Sequence, residues 1–181
     1  MAAFVLTVGI VAVLTLLVSS INHLIDARKN IIAAKLAEEG IELVRNMRDN
    51  NAVTSGCRAF ANTGSCKQFP ASSKDDCRID YRNESPSCNS AQKNLLCIDK
   101  QGRYYHKDGV CVGGSQFNTE FQRIIIFDFD PTDSNNDDNP DKTLVVKSIV
   151  SWNGSEPSAD INACKTSSKC AYAQATLRDV W

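Results

Sequence analysis

The amino-acid sequence predicts a layered α+β fold. A long N-terminal α-helix has a projecting apolar half and an amphipathic half packed on an antiparallel β-sheet head rich in disulfides. Three observations predict it. Residues 1–25 contain no Lys, Arg, Asp or Glu, and the following two dozen residues continue without a Pro. Three stretches between residues 119 and 181 carry the β-branched, aromatic and alternating pattern of strands. All eight cysteines follow the helix, most of them in a loop-rich segment.

The chain divides into four stretches: 1–25, apolar helix; 26–50, its amphipathic continuation; 51–118, a Cys-rich loop region; 119–181, the sheet. At 181 residues there is room for one globular domain and an extended element. A net charge of −1 argues against nucleic-acid contact and against electrostatic attachment to anionic lipid.

Several ordinary roles compete for residues 1–25. A secretory signal has a basic n-region and a short apolar run, whereas here the run is long and no basic residue precedes it. A buried core helix is shorter and carries a polar stripe. A plain transmembrane anchor fits, since about 20 apolar residues cross the hydrocarbon layer. From residue 21 onward, Ile21, Leu24, Ile25, Ile32, Leu36, Leu43 and Met47 recur at helical spacing, and Ile31, Ile41 and Val44 widen the stripe. Asp26, Arg28, Lys29, Lys35, Glu38, Glu39, Glu42, Arg45 and Arg48 fall mostly between them. That stripe needs a covering surface, and a folded head after residue 50 supplies one. A helix running to about residue 50 is roughly 75 Å long, against about 30 Å for a small domain, so its first half is expected to project. Gly9 and Gly40 are its only expected flexible points.

The segment AAFVLTVGIVAVLTLLVSSI, followed by AAKLAEEGIELVRNMRDNN, resembles the N-terminal helix of bacterial type IV pilin-like proteins, most closely the minor-pilin, pilus-modification or pseudopilin group. The resemblance covers residues 2–51; the rest is similar only in style. It implies that the apolar half anchors the subunit in the inner membrane and then packs in a filament core. Phe4, Val5, Leu6, Val8, Ile10, Val11, Val13, Leu14, Leu16, Leu17 and Val18 would make that core, and Ile32, Leu36, Leu43 and Met47 would hold the head. Family precursors carry a basic leader ending in Gly and a Glu at the fifth mature position. Here position 5 is Val5 and no Gly precedes Met1. Either the numbered chain starts several residues inside the helix, or this subunit lacks the Glu. The first is favoured, because the equivalent of AAFVLTVGI in relatives follows a stretch holding both residues. The helix-breaking Pro of many major pilins is absent, so no kink is expected.

In the head, Cys57, Cys66, Cys77, Cys88, Cys97, Cys111, Cys164 and Cys170 form no CxxC, and neither His23 nor His106 has a close Cys neighbour. Zinc sites usually preset two ligands in such pairs, so disulfides in an oxidising compartment are expected. Eight cysteines allow about 105 pairings, among which Cys164–Cys170 and Cys97–Cys111 close short, inexpensive loops. Arg78-Ile79-Asp80-Tyr81 reads as a short strand. Asn94–Asp99 and Arg103–His106 read as a hairpin across Lys100-Gln101-Gly102. Thr119–Asp130, Thr143–Trp152 and Ala171–Trp181 read as the main strands.

Between the first two of these, Asp133, Asn135 and Asp137 alternate in the manner of a calcium loop, with Asp138, Asp141 and Asp128 nearby, but the Gly and Glu of the standard loop are missing. A solvated acidic turn is the ordinary alternative, so calcium is a candidate and no cofactor is required. Asn83-Glu84-Ser85 and Asn153-Gly154-Ser155 match the glycosylation sequon. There is no phosphate loop, dinucleotide fingerprint or nucleophile elbow, and an enzyme is not expected.

The expected function is therefore a structural subunit of a type IV pilus-like filament serving adhesion, motility or DNA uptake. Its expected partners are identical or related pilin subunits in a helical homopolymer, the inner membrane before assembly, and the pilus assembly machinery. A single-pass membrane-anchored extracellular adhesion module and a pseudopilin of a type II secretion system are the alternatives.

Overall fold

A computed structural model describes residues 2–54, 57, 59–60, 66–70, 72–82, 86–88, 94–106, 111, 117–129, 143–154 and 156–178, with residues 2–7, 117 and 118 described by backbone alone. The elements run α1 (Ala2–Val53), β1 (Lys74–Cys77), β2 (Leu95–Ile98), β3 (Tyr104–His106), β4 (Phe117–Phe129), β5 (Thr143–Ser151), α2 (Ile161–Thr166) and β6 (Cys170–Arg178). The chain forms two compact units, Met1–Ile32 and Ala33–Trp181.

The first unit is helix alone, a run free of Pro and of formal charge as far as Ile25. Helix α1 ends at Val53, three residues beyond the expected end near Asn50. There the Thr54 N–H donates to the Asn51 carbonyl and the Thr54 hydroxyl donates to the Asn50 carbonyl, capping the last turn.

The second unit is built on one antiparallel sheet of order β3-β2-β4-β5-β6, with β1 also paired to β4. Strand β4 is long enough to take two partners along one edge: β2 pairs with its first half and β1 with its second. On the other edge β5 pairs with it over eight positions, from Gln122↔Ser151 to Phe129↔Leu144. Strand β6 then pairs with β5 from Thr143↔Arg178 to Ser151↔Cys170.

This register sorts the side chains onto two faces. Ile125, Phe127, Leu144, Val146 and Leu177 share one face and form a core with Ile41, Val44 and Met47 of α1 and with Phe69 and Ile79. Phe60, Phe69 and Phe127 extend it as an edge-to-face series, with centroids 5.3 and 6.2 Å apart. The opposite face presents Ile124, Ile126 and Ile149, which pack with Cys164 of α2. Helix α2 is capped at its N-terminus by Asp160, whose carboxylate accepts from the Asn162 N–H.

All eight cysteines are paired, as Cys57–Cys66, Cys77–Cys88, Cys97–Cys111 and Cys164–Cys170. The last two were anticipated from spacing, although Cys97–Cys111, 14 residues apart, is the longest of the four closures. Every pair joins sequence neighbours, so each staple fixes a local loop.

The hairpin over Leu95–Ile98 and Tyr104–His106 lies where the sequence placed it, and the three main strands fall within a few residues of expectation. The stretch Arg78–Tyr81 needs correction. The strand lies just before it, at Lys74–Cys77, and Arg78 makes only an isolated bridge to Ser87. After that bridge the polar groups are diverted elsewhere: the Asp80 carboxylate accepts from the backbone N–H groups of Arg82 and His106. A polar Lys-Asp-Asp-Cys segment has little strand propensity of its own and is held extended by pairing with β4.

Candidate functional site

The candidate site is the surface of the first unit. From Val8 to Ile31 its large apolar side chains are exposed, from 48% at Ile25 to 71% at Leu16. Val8, Ile10, Val11, Val13, Leu14, Leu16, Leu17 and Val18 all lie on this surface, and the side chains of Phe4, Val5 and Leu6 lie outside the described residues. Residues 2–25 span about 36 Å at 1.5 Å per residue, enough for a hydrocarbon layer of about 30 Å. The helix is long and apolar enough to cross a membrane. Scattered exposed apolar side chains are normal, but a continuous apolar rod is not; it marks a surface meant for lipid or for another protein. The Thr15 hydroxyl, in the middle of the run, donates to the Val11 carbonyl at 2.9 Å and so does not break it.

Within the second unit the same helix is held by a different chemistry. Ala33, Leu36, Ala37, Gly40, Ile41, Val44, Met47 and Asn51 form its buried stripe. Of the residues expected to hold the head, Leu36 and Met47 are buried and Leu43 packs half-buried against the core. Ile32 is half-buried and is the last residue of the first unit.

Gly40 is not a flexible point. A Cβ there would meet Ser148 Oγ at less than contact distance and Ile125 Cδ1 at 2.8 Å, so its missing side chain sets how closely α1 approaches β4 and β5. Three residues of this stripe are small (Ala33, Ala37 and Gly40) and recur at four- and three-residue steps, a signal available in the sequence.

Two polar anchors were not legible from the sequence. Arg123, fully buried on β4, donates to the Leu36 carbonyl at 3.1 Å and to the Ile79 carbonyl at 2.8 Å, and pairs with Glu39 Oε1 at 3.5 Å. Burial lowers its pKa, opposed by the Glu39 carboxylate. Asn51, also buried, donates its amide to the Ala59 and Lys67 carbonyls and accepts from the Lys67 N–H, tying the helix end to the loop that Cys57–Cys66 closes.

At the far edge of the sheet, Asp99 organises the β2–β3 turn. It accepts from the Tyr81 hydroxyl at 2.6 Å, from the Arg103 side chain, and from the backbone of Gln101 and Arg103. The Tyr81 hydrogen bond leads in lowering its pKa to about 2. Arg82 stacks over Tyr105 at 3.6 Å and Arg103 over Tyr81 at 4.3 Å, so these aromatic rings and cations satisfy one another.

The acidic run Asp133, Asn135, Asp137, Asp138 and Asp141 lies outside the described residues, as do both sequon serines, Ser85 and Ser155. Among the described residues no group of three or more His, Cys, Asp or Glu is placed to hold a metal ion. Disulfides and a candidate membrane-spanning helix together suit a membrane-anchored protein with its head in an oxidising, extracellular compartment. The fold is compatible with a pilin-like one. No family model, curated protein or solved structure matches the chain.

Proposed function

We propose that this chain is a structural subunit of a type IV pilus-like extracellular filament. The observation that carries the reading is one unbroken helix, Ala2–Val53, exposed along an uncharged apolar half and buried along a second half in its own head. A simple anchor needs only the first half. Docking the second half lengthwise on a sheet fixes the stem to the head, which a subunit held in a polymer by its stem requires.

In this reading the stem sits in the bacterial inner membrane until the assembly machinery extracts it. It then packs against the stems of identical or related subunits while the stapled head faces outward. The role is mechanical and needs neither catalysis nor a cofactor. The resemblance of residues 2–51 to pilin-like helices supports it.

The test places a carboxylate in the stem. Val11→Asp or Leu14→Asp should abolish incorporation into filaments seen by negative-stain microscopy, while the head still forms its four disulfides. Normal filaments from either variant would sink the reading. A wild-type chain found only in the cell membrane, with no filaments, would identify an anchored adhesion module; only short, periplasm-confined assemblies would identify a secretion pseudopilin.

A further inference from the structure

The sheet has three outer strands, β1, β3 and β6, and their free edges differ. Strand β3 is three residues long, and its His106 N–H is taken by the Asp80 carboxylate at 2.8 Å. Strand β1 is four residues long, carries Lys74, Asp75 and Asp76, and shifts register against β4. Shortness, charge and irregular pairing are the ordinary devices that keep a sheet edge from joining another chain. Strand β6 has none of them. It runs nine residues, Cys170–Arg178, in unbroken register with β5, with no Pro and no charge before Arg178.

An antiparallel strand uses the backbone groups of every second residue on each side. The remaining β6 groups therefore point away from β5. Among the described residues, no segment apart from β5 hydrogen-bonds to this strand. Nor do its side chains block the edge. Ala173 and Ala175 are small and half-buried on the side of α1, while Tyr172, Gln174 and Thr176 are exposed on the other side. A row of free donors and acceptors at ladder spacing is matched by an extended strand.

The strand's own sequence identifies that partner. In a second copy the described outer edges other than β6 are short, and either charged or capped, so β6 is the edge able to continue the sheet. Two copies of one strand pair antiparallel about a two-fold axis. Centred on Gln174, this register sets Gln174 against Gln174, Tyr172 against Thr176 and Ala173 against Ala175. Each Gln amide then meets an amide, with a donor and an acceptor on both. Each aromatic ring meets a β-branched residue, and Arg178 meets Cys170, so no like charges oppose one another. We propose that a second copy of this chain pairs with the first, β6 to β6, in one continuous antiparallel sheet. The contact involves the head alone and does not depend on filament assembly.

Hydrogen exchange of the full chain in neutral detergent micelles tests it, read by mass spectrometry on peptides covering β6 at low and high protein concentration. On association, roughly half of the β6 amides should slow by about ten-fold or more. Gln174→Lys sets two ammonium groups opposite each other and should abolish that slowing, as should Gln174→Glu with two carboxylates. Mixing the two variants in equal amounts should restore it, since each then meets its opposite. The Gln174 side chain is exposed, so the single head should tolerate either change. Contacts between stems are common to every sample and leave β6 exchange unaltered. Concentration-dependent protection of β6 in a chain that forms no filaments would support this pairing while removing the filament reading. Exchange that is the same at both concentrations, a Gln174→Lys chain as protected as wild type, or a mixture that stays unprotected would overturn it.

Discussion

Arg123 shows how one side chain can hold several parts of the head together. Its guanidinium is fully buried, yet two of its nitrogens reach carbonyls on different segments, Leu36 on α1 and Ile79 after β1, and Glu39 supplies a nearby counter-charge. A cation buried this way stabilises only while its partners stay in place, and removing one strands the other. His106 lies in the same neighbourhood. Among the described residues neither of its ring nitrogens has a hydrogen-bond partner. Burial drives its pKa well below the ordinary value, with the Arg123 and Arg78 charges adding to the effect. The imidazole therefore stays neutral in the folded head but takes a proton in the unfolded chain below about pH 6.5. Because the unfolded state then binds more protons, stability falls as pH drops from about 6.5. Asp99 works in a separate window. Its folded pKa is depressed to about 2, so its contribution is present above the ordinary carboxylate range and lost only as pH falls through that range toward 2. The expected outcome is a urea midpoint that declines between pH 7.5 and 5 for the wild-type head. His106→Phe should flatten that decline, and an unchanged slope would place its origin elsewhere.

At the scale of elements, the closest approach in the head is between α1 and the β4–β5 pair at Gly40. Glycine inside a helix ordinarily costs roughly 0.5–1 kcal/mol relative to alanine. The space it leaves here is filled from the other side by Ser148 and Ile125. Gly40→Val should destabilise the head by about 3 kcal/mol through overpacking, read as a lower urea midpoint with native disulfides. A midpoint within error of wild type would mean that the helix can lift without loss. This contact also shows where sequence reading stops. The long helix, the main strands, the hairpin and the oxidised cysteines were legible, because period, length and composition report burial and compartment directly. The role of Gly40 was not, because a glycine in a helical pattern looks the same whether it bends or lets a sheet come close. Arg123 escaped for a similar reason: the pattern of β4 marks its position as inward-facing only once Ile125 and Phe127 are known to face α1. Strand β1 was missed because its Lys-Asp-Asp-Cys sequence is extended only through its pairing with β4. The pairings Cys57–Cys66 and Cys77–Cys88 follow the same nearest-neighbour order as the two anticipated, but spacing alone left them open.

At the scale of the whole molecule, two units divide the work and a single helix belongs to both. The head buries the stripe from Ala33 to Asn51 and adds four local disulfides, each closing between 6 and 14 residues of separation. Such closures stabilise chiefly by limiting the unfolded chain, by up to about 3 kcal/mol each at this size. The first unit has no such support, and its apolar surface requires lipid or other helices. In the proposed function this surface is finally covered by other subunits in a filament. Immunogold electron microscopy of cells making the unaltered chain, with antibody against the folded head, tests it most directly. Label spaced along thin filaments that extend from the cell is the expected outcome. Label confined to the cell envelope, with unlabelled filaments or none, would contradict it.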